Sequence, residues 1–235
     1  MEHQELLEIR GVSSGYGAIQ VIWDCTLSVG AGETVVILGS NGSGKTTLLK
    51  AVAGMLPLFS GSVMFDGEDV TKLPVYRRAR LGLSYVSDSS IYPSMTVREN
   101  LLMSSLRSGS RFGEKIERVH GLFPDLLAFD RQRASALSGG QRKMLMVARA
   151  IIAEPKLLVM DEPSSGLSPL FTEKIIEVLS TLKKEGLPML VSEQNIEFAG
   201  LADRLLVLDH GRIVFSGTKE EAEENDSVRN AYFAI

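Results

Sequence analysis

One run in this chain has residue types and spacing suited to a highly charged anion. Gly39-Ser40-Asn41-Gly42-Ser43-Gly44-Lys45-Thr46 satisfies the pattern Gly-x-x-x-x-Gly-Lys-Ser/Thr at every fixed position. Glycines carry no Cβ, so successive backbone N–H groups can turn inward around phosphate oxygens. A helix beginning where the run ends adds its partial positive charge. Lys45 is placed to reach the β- and γ-phosphates of a nucleotide, and the Thr46 hydroxyl to ligate Mg²⁺. A second run, Leu157-Leu158-Val159-Met160-Asp161-Glu162, ends in two acids. Phosphoryl transfer to water needs a metal anchor and a group that orients the water. Asp161, at the end of an apolar run, suits the first role. Glu162 points differently, one residue on, and suits the role of general base.

These side chains need elements to hold them. Thr34-Val35-Val36-Ile37-Leu38 is an unbroken apolar, β-branched run, the mark of a strand buried on both faces, and it feeds the glycine run directly. Thr46 to Gly54 reads as the helix that follows. Leu157 to Met160 and Met189-Leu190-Val191-Ser192 are two more buried strands. Leu205–Leu208 and Arg212–Phe215 flank Asp209-His210-Gly211, a hairpin turn. Thr218 with Glu221 forms a capping box for a C-terminal helix. Nearer the N-terminus, Leu6 to Ile9, Thr26 to Val29 and Gly61 to Gly67 are strand-like with short glycine links, and Gly11 to Gly17 reads as a turn. That pattern predicts a mostly antiparallel layer. From Val97 to Leu137 the pattern is helical. Strands alternating with helices predict a three-layer α/β domain around a mainly parallel sheet.

Composition narrows the setting. The chain has 235 residues, 25 Lys and Arg against 29 Asp and Glu, and a net charge of −4. That length predicts one domain, or one with a small subdomain. The near balance of charge gives no case for a nucleic-acid partner. A single cysteine, Cys25, cannot form an internal disulfide, so a reducing cytoplasm is the expected compartment. No stretch approaches the roughly 18 apolar residues of a membrane span, and Met1-Glu2-His3-Gln4-Glu5 lacks the layout of a signal peptide.

Leu137-Ser138-Gly139-Gly140-Gln141 sets the chain apart from other phosphate-loop proteins. Ser138 offers a hydroxyl, the two glycines admit an anion to the backbone, and a helix from Gln141 to Ile152 follows. With the order Lys45, Ser138, Asp161, the sequence resembles the ATP-binding cassette (ABC) ATPases over essentially its whole length. The resemblance implies a three-layer phosphate-loop ATPase fold with an N-terminal antiparallel layer. It implies one cassette over 1–235, with an inserted helical subdomain at about 97–140. It also implies ATP and Mg²⁺ as cofactors. Gly39 to Lys45, with Thr46 and Thr47, would hold the phosphates, and Tyr16, between Gly15 and Gly17, would stack on adenine. Ser138, Gly139, Gly140 and Gln141 would close on the ATP of a second cassette. Ser165-Gly166-Leu167-Ser168 falls at the loop that crosses the dimer.

Within that family the chain looks like the ATP-binding subunit of a branched-chain amino acid importer. The residues that carry this are Leu7 to Gly11, Gly15-Tyr16-Gly17, Phe65 to Thr71, Arg77 to Leu83 and Glu193-Gln194-Asn195. Most cassettes have His where Gln194 stands, touching the γ-phosphate, whereas this branch commonly has Gln. An amide donates a hydrogen bond but carries neither charge nor proton. The resemblance thus makes Glu162, Lys45 and Gln194 the catalytic set, and Thr46, Asp161 and Asp88 the metal set. Asp88 departs from the family, which usually has Gln or Glu there. Ile91, Tyr92, Pro93 and Met95 are expected to form an apolar groove for a short helix of a membrane partner. The implied partners are a second cassette, two membrane permease subunits and a periplasmic or extracellular solute-binding protein. The implied location is the inner face of the cell membrane. The rival reading is a soluble ABC ATPase of cofactor assembly, DNA or the ribosome. Ser138 follows Lys45 by only 93 residues with no sustained heptads, which counts against the coiled-coil DNA members.

Overall fold

The computed structural model describes residues 5–87, 90–105 and 111–233. Its centre is a six-stranded sheet in the order β10-β9-β3-β8-β7-β6. The strands are β3 (Thr34–Leu38), β6 (Leu83–Val86), β7 (Leu157–Asp161), β8 (Met189–Glu193), β9 (Arg204–Asp209) and β10 (Arg212–Gly217). All neighbours are parallel except β9 and β10, which form the expected hairpin. The unbroken apolar runs have a direct cause. Val36, Leu38, Leu158, Met160, Met189, Val191, Leu205 and Val207 join one core. Val35, Ile37, Leu157, Val159, Leu190, Leu206 and Leu208 join a second core on the opposite face. With both faces covered, alternation of apolar and polar residues has no work to do.

The first face packs on helices α3 (Val97–Ser105), α4 (Phe112–Leu122), α5 (Pro124–Ala128), α6 (Gly139–Ile152) and α7 (Pro169–Lys184). The second packs on α1 (Lys45–Val52) and on an antiparallel sheet ordered β2-β1-β4-β5. That sheet comprises β1 (Glu5–Tyr16), β2 (Ile19–Gly30), β4 (Leu58–Phe65) and β5 (Glu68–Asp69). The short helix α2 (Val75–Leu81) precedes β6, and α8 (Lys219–Glu224) follows β10. Among the described residues, no helix is long and apolar enough to cross a membrane.

One expected turn is instead strand. Gly11 to Gly17 reads as a reversal, yet β1 continues to Tyr16, with Ser14 opposite Ile22 and Gly15 opposite Gln20. Gly11 sits at φ +59° where the register shifts, so it makes a bulge that bends the strand and leaves it paired. The reversal falls at Gly17, φ +58°. The capping boxes at Thr218/Glu221 and at Ser138/Gln141 are both formed.

The parallel register decides where the chemistry collects. Leu38 pairs with Glu193, and Asp161 with Ser192. The carboxyl ends of β3, β8 and β7 therefore lie side by side, and the glycine run, Gln194 and the acidic pair leave the sheet at one edge.

Candidate active site

The glycine run wraps the start of α1. Gly44, at φ +109°, is its N-cap, and a Cβ there would come within 2.7 Å of Ile22 Cδ1. From outside, the hairpin turn braces the loop: the Gly211 N–H donates to Ser43 O at 2.8 Å. Lys45 is only 3% exposed. Its ammonium donates to Gly39 O at 2.8 Å and Ser40 O at 3.0 Å, and pairs with Glu162 Oε1 at 3.0 Å. The lysine of the glycine run and the second acid of the pair are thus in contact. The Ser43 hydroxyl is buried, with no hydrogen-bond partner among the described residues. An orphaned donor in a glycine-rich loop at the start of a helix fits an anion that completes it.

Asp161 accepts three hydroxyls. Thr46 Oγ1 and Ser192 Oγ donate to its Oδ1 at 3.0 and 2.9 Å, and the Tyr85 hydroxyl donates to Oδ2 at 3.1 Å. Burial and the neighbouring carboxylate raise the Tyr85 pKa far above that of an ordinary phenol, so it remains a donor. Among the described residues no three acids, histidines or cysteines converge. One carboxylate, one hydroxyl and phosphate oxygens suit Mg²⁺, which keeps several waters and uses few protein ligands. Asp88, the third expected ligand, lies outside the described residues.

Glu162 leaves β7 at φ +48°, in the left-handed region. Its N–H donates to Ser192 O at 3.0 Å, and its carbonyl accepts from Ser165 N–H at 3.2 Å and Lys143 Nζ at 3.0 Å. This twist sets Glu162 as a wall between two clefts. The cleft on one side, of about 360 Å³, includes Lys50, Tyr85 and Asp161. The other, about 380 Å³ and mostly polar, includes Asn41, Glu193 and Gln194. The Gln194 amide donates to the Asn41 side chain, which links it to the glycine run.

Four residues near these clefts receive no chemical role from the sequence alone: Tyr85, Ser192, Lys143 and Glu193. Glu193 is 2% exposed. Its Oε1 accepts from Ser164 N–H at 2.7 Å, and its Oε2 from Gln194 N–H at 3.0 Å and Asn195 N–H at 3.4 Å. Burial raises its pKa, and these backbone donors pull the other way. One carboxylate thereby pins the backbone of Gln194 to the segment after Glu162. The signal was visible: Ser192 and Glu193 end a buried strand, and a buried polar side chain must find a partner. Glu193→Gln keeps the shape but places an NH₂ against one set of N–H donors. It should lose about 1–3 kcal/mol of stability in a urea titration; a change below about 0.5 kcal/mol would remove Glu193 from this role.

Tyr16 and Thr47 meet at the same edge, with the Tyr16 hydroxyl 3.5 Å from Thr47 Oγ1. The ring is 46% exposed and open to stacking. Ser138 caps α6, and among the described residues no hydrogen bond joins Ser138–Gln141 to the glycine run. Ser138 and Gly139 are exposed. Gly140 is buried, and a Cβ there would lie 2.6 Å from the Phe171 ring, so its small size serves packing on α7 as well.

The expected groove is rearranged. A cavity of about 480 Å³ is lined by Met55, Val75, Tyr85, Tyr92, Met103 and Arg149, among others. Ile91 and Pro93 line a different cavity with Gly139 and Arg142. Met95 lines neither. Asn100, fully buried, holds the segment between them. Its amide grips the backbone on both sides of Tyr92, accepting from the Tyr92 N–H at 2.9 Å and donating to Tyr92 O at 3.0 Å.

The family model described as ABC transporter matches residues 22–165. The chain belongs to the ABC transporter ATP-binding family. As a member of that family it is an ATPase, and its fold is that of an ABC cassette. Such cassettes work as dimers with membrane permease subunits. The chain is 38% identical over 230 residues to the high-affinity branched-chain amino acid transport ATP-binding protein BraG of Pseudomonas aeruginosa, covering 97% of this chain and 99% of that one. It is 33% identical to the probable branched-chain amino acid transport ATP-binding protein LivF of Archaeoglobus fulgidus, covering 98% and 99%. It is also 31% identical to the lipopolysaccharide export system ATP-binding protein LptB of Haemophilus influenzae, covering 97% and 96%. Among solved structures it resembles MJ1267, an ATP-binding cassette of an ABC transporter, with a TM-score of 0.86 and 27% identity over 98% of this chain and all of that one.

Proposed function

We propose that this chain powers the import of branched-chain or related amino acids, acting as a single cassette over 1–235 with a helical subdomain at about 97–140. The observation that carries this reading is Gln194 beside Asn41 of the phosphate loop, a neutral amide where most cassettes carry His. The printed functions of BraG and LivF support it. In this reading Gly39 to Thr47 bind the phosphates, with Lys45 holding the β- and γ-phosphates, and Tyr16 stacks on adenine. Mg²⁺ held by Thr46 and Asp161, with Asp88 as the remaining oxygen donor, would neutralise charge on the β- and γ-phosphates. ATP displaces Glu162 from Lys45, and the freed carboxylate takes the proton of the attacking water. Ser138 to Gln141 complete the site of a second cassette.

The cassette sits at the inner face of the membrane, with two permease subunits and a periplasmic or extracellular solute-binding protein as partners. The cavity of about 480 Å³ receives a permease helix, since Met55, Tyr92 and Met103 give it exposed apolar lips. The 31% identity with LptB favours a second reading, lipopolysaccharide export. Cells with the gene disrupted separate the two. Uptake of radiolabelled leucine, isoleucine and valine should fall while surface lipopolysaccharide is unchanged. Unchanged uptake with depleted surface lipopolysaccharide would establish export instead.

A further inference from the structure

Helix α6 carries at its N-terminus the residues assigned above to the ATP of a second cassette. One turn further along it carries a buried cation. Gly139 and Lys143 are four residues apart, hence on one face, separated by about 6 Å along the axis. Both line the cavity of about 350 Å³ that also touches Ser165, Gly166 and Leu167. Lys143 is 7% exposed. A lysine so deeply buried needs defined acceptors, and one of them is Glu162 O, to which its ammonium donates at 3.0 Å. That carbonyl belongs to a residue at φ +48°, a region L-residues enter at a cost and keep only when neighbours hold them there. Among the described residues, the bonds that hold this backbone are the Lys143 ammonium, the Ser165 N–H on the same carbonyl, and the Glu162 N–H to Ser192 O. Only the first comes from α6.

We propose that Lys143 is a positioning residue that ties the N-terminal turn of α6 to the backbone of Glu162 in the same chain. Nucleotide gripped by Ser138 and Gly139 across the dimer then sets the aim of the base at the chain's own site. Each ATP thus acts on the hydrolysis of the other through a one-turn lever. This rests on the assignments of Glu162 as base and of Ser138 to Gln141 as a site in trans.

Lys143→Met fills the same space without the donor. Turnover at saturating Mg-ATP should fall about ten-fold or more, while KM for ATP stays within about two-fold, because aim is lost and binding is not. Lys143→Arg, which restores a long donor, should recover most of the rate. A Lys143→Met chain with turnover within about two-fold of wild type would overturn the proposal. Mixed dimers of two differently tagged copies, purified through both tags, locate the effect, with one-sided Glu162→Gln dimers as the reference. When Lys143→Met and Glu162→Gln lie on opposite copies, the sole intact base belongs to the chain lacking Lys143, and turnover should fall below the reference. When both lie on one copy, turnover should match the reference. The reverse pattern would mean that Lys143 serves only the partner's ATP, which also overturns the proposal. A uniform Glu162→Gln dimer with wild-type turnover would instead sink the base assignment itself.

Discussion

Glu162→Gln should turn over ATP about a hundred-fold or more slowly than the wild type, while still binding it. The amide keeps the size and the left-handed backbone of Glu162, whose N–H and carbonyl bonds to Ser192, Ser165 and Lys143 use no atom of its own side chain. What it loses is proton affinity. It also loses the ion pair with Lys45. That pair engages the ammonium proposed to hold the β- and γ-phosphates, so its loss removes a competitor for Lys45. Affinity should therefore hold or rise, and the closed dimer should accumulate. Size-exclusion chromatography with Mg-ATP should show the variant as a dimer at concentrations where the wild type, which hydrolyses its ATP, returns to monomer. Wild-type phosphate release from the variant would refute the base assignment.

Lys45→Ala should act in the opposite direction. A unit charge about 4 Å from a phosphate contributes roughly 4 kcal/mol at an effective dielectric of about 20, before desolvation. The ammonium is buried in the free chain already, so most of its desolvation has been met within the fold. A loss of at least about a hundred-fold in nucleotide affinity is expected, with turnover lost alongside. The loop suffers too, because Gly39 O and Ser40 O both accept from this ammonium. Calorimetric titration with an ATP analogue measures the affinity; retention within about ten-fold would show that the backbone amides alone carry phosphate binding. The two substitutions break the same ion pair from its two ends, and only one should weaken binding.

The motif residues were legible because their chemistry demands a fixed local order. Gly39 to Thr46 must be contiguous to wrap a phosphate, and Asp161 and Glu162 must follow a strand. The buried strands were legible because a sheet covered on both faces leaves unbroken apolar runs. Residues that act through long-range contact were not. Tyr85 reaches Asp161 only because β6 pairs with β7, and nothing near residue 85 announces that pairing. Glu193 looked like a neighbour of Gln194, yet its carboxylate is tied to Ser164, 29 residues earlier. Gly11 misled for a related reason, since a left-handed glycine suits a bulge as well as a reversal, and only the opposite strand decides. The groove failed at finer grain. Ile91, Tyr92 and Pro93 are consecutive, yet Tyr92 lines one cavity and its two neighbours another, a distinction set by the distant segments that complete each wall.

The strand order has a consequence for how the protein is made. Among the described residues, β3, which launches the glycine run, pairs with β8 and β9 and with no earlier strand. Synthesised from the N-terminus, the most recognisable motif of the chain leaves the ribosome more than a hundred residues before either flanking strand exists. The brace from Gly211 to Ser43 comes later still. A nascent chain can therefore carry the whole nucleotide motif in its sequence and have no nucleotide site. Loss of the last third, by early termination or proteolysis, should leave a fragment that neither binds ATP nor competes for the second cassette.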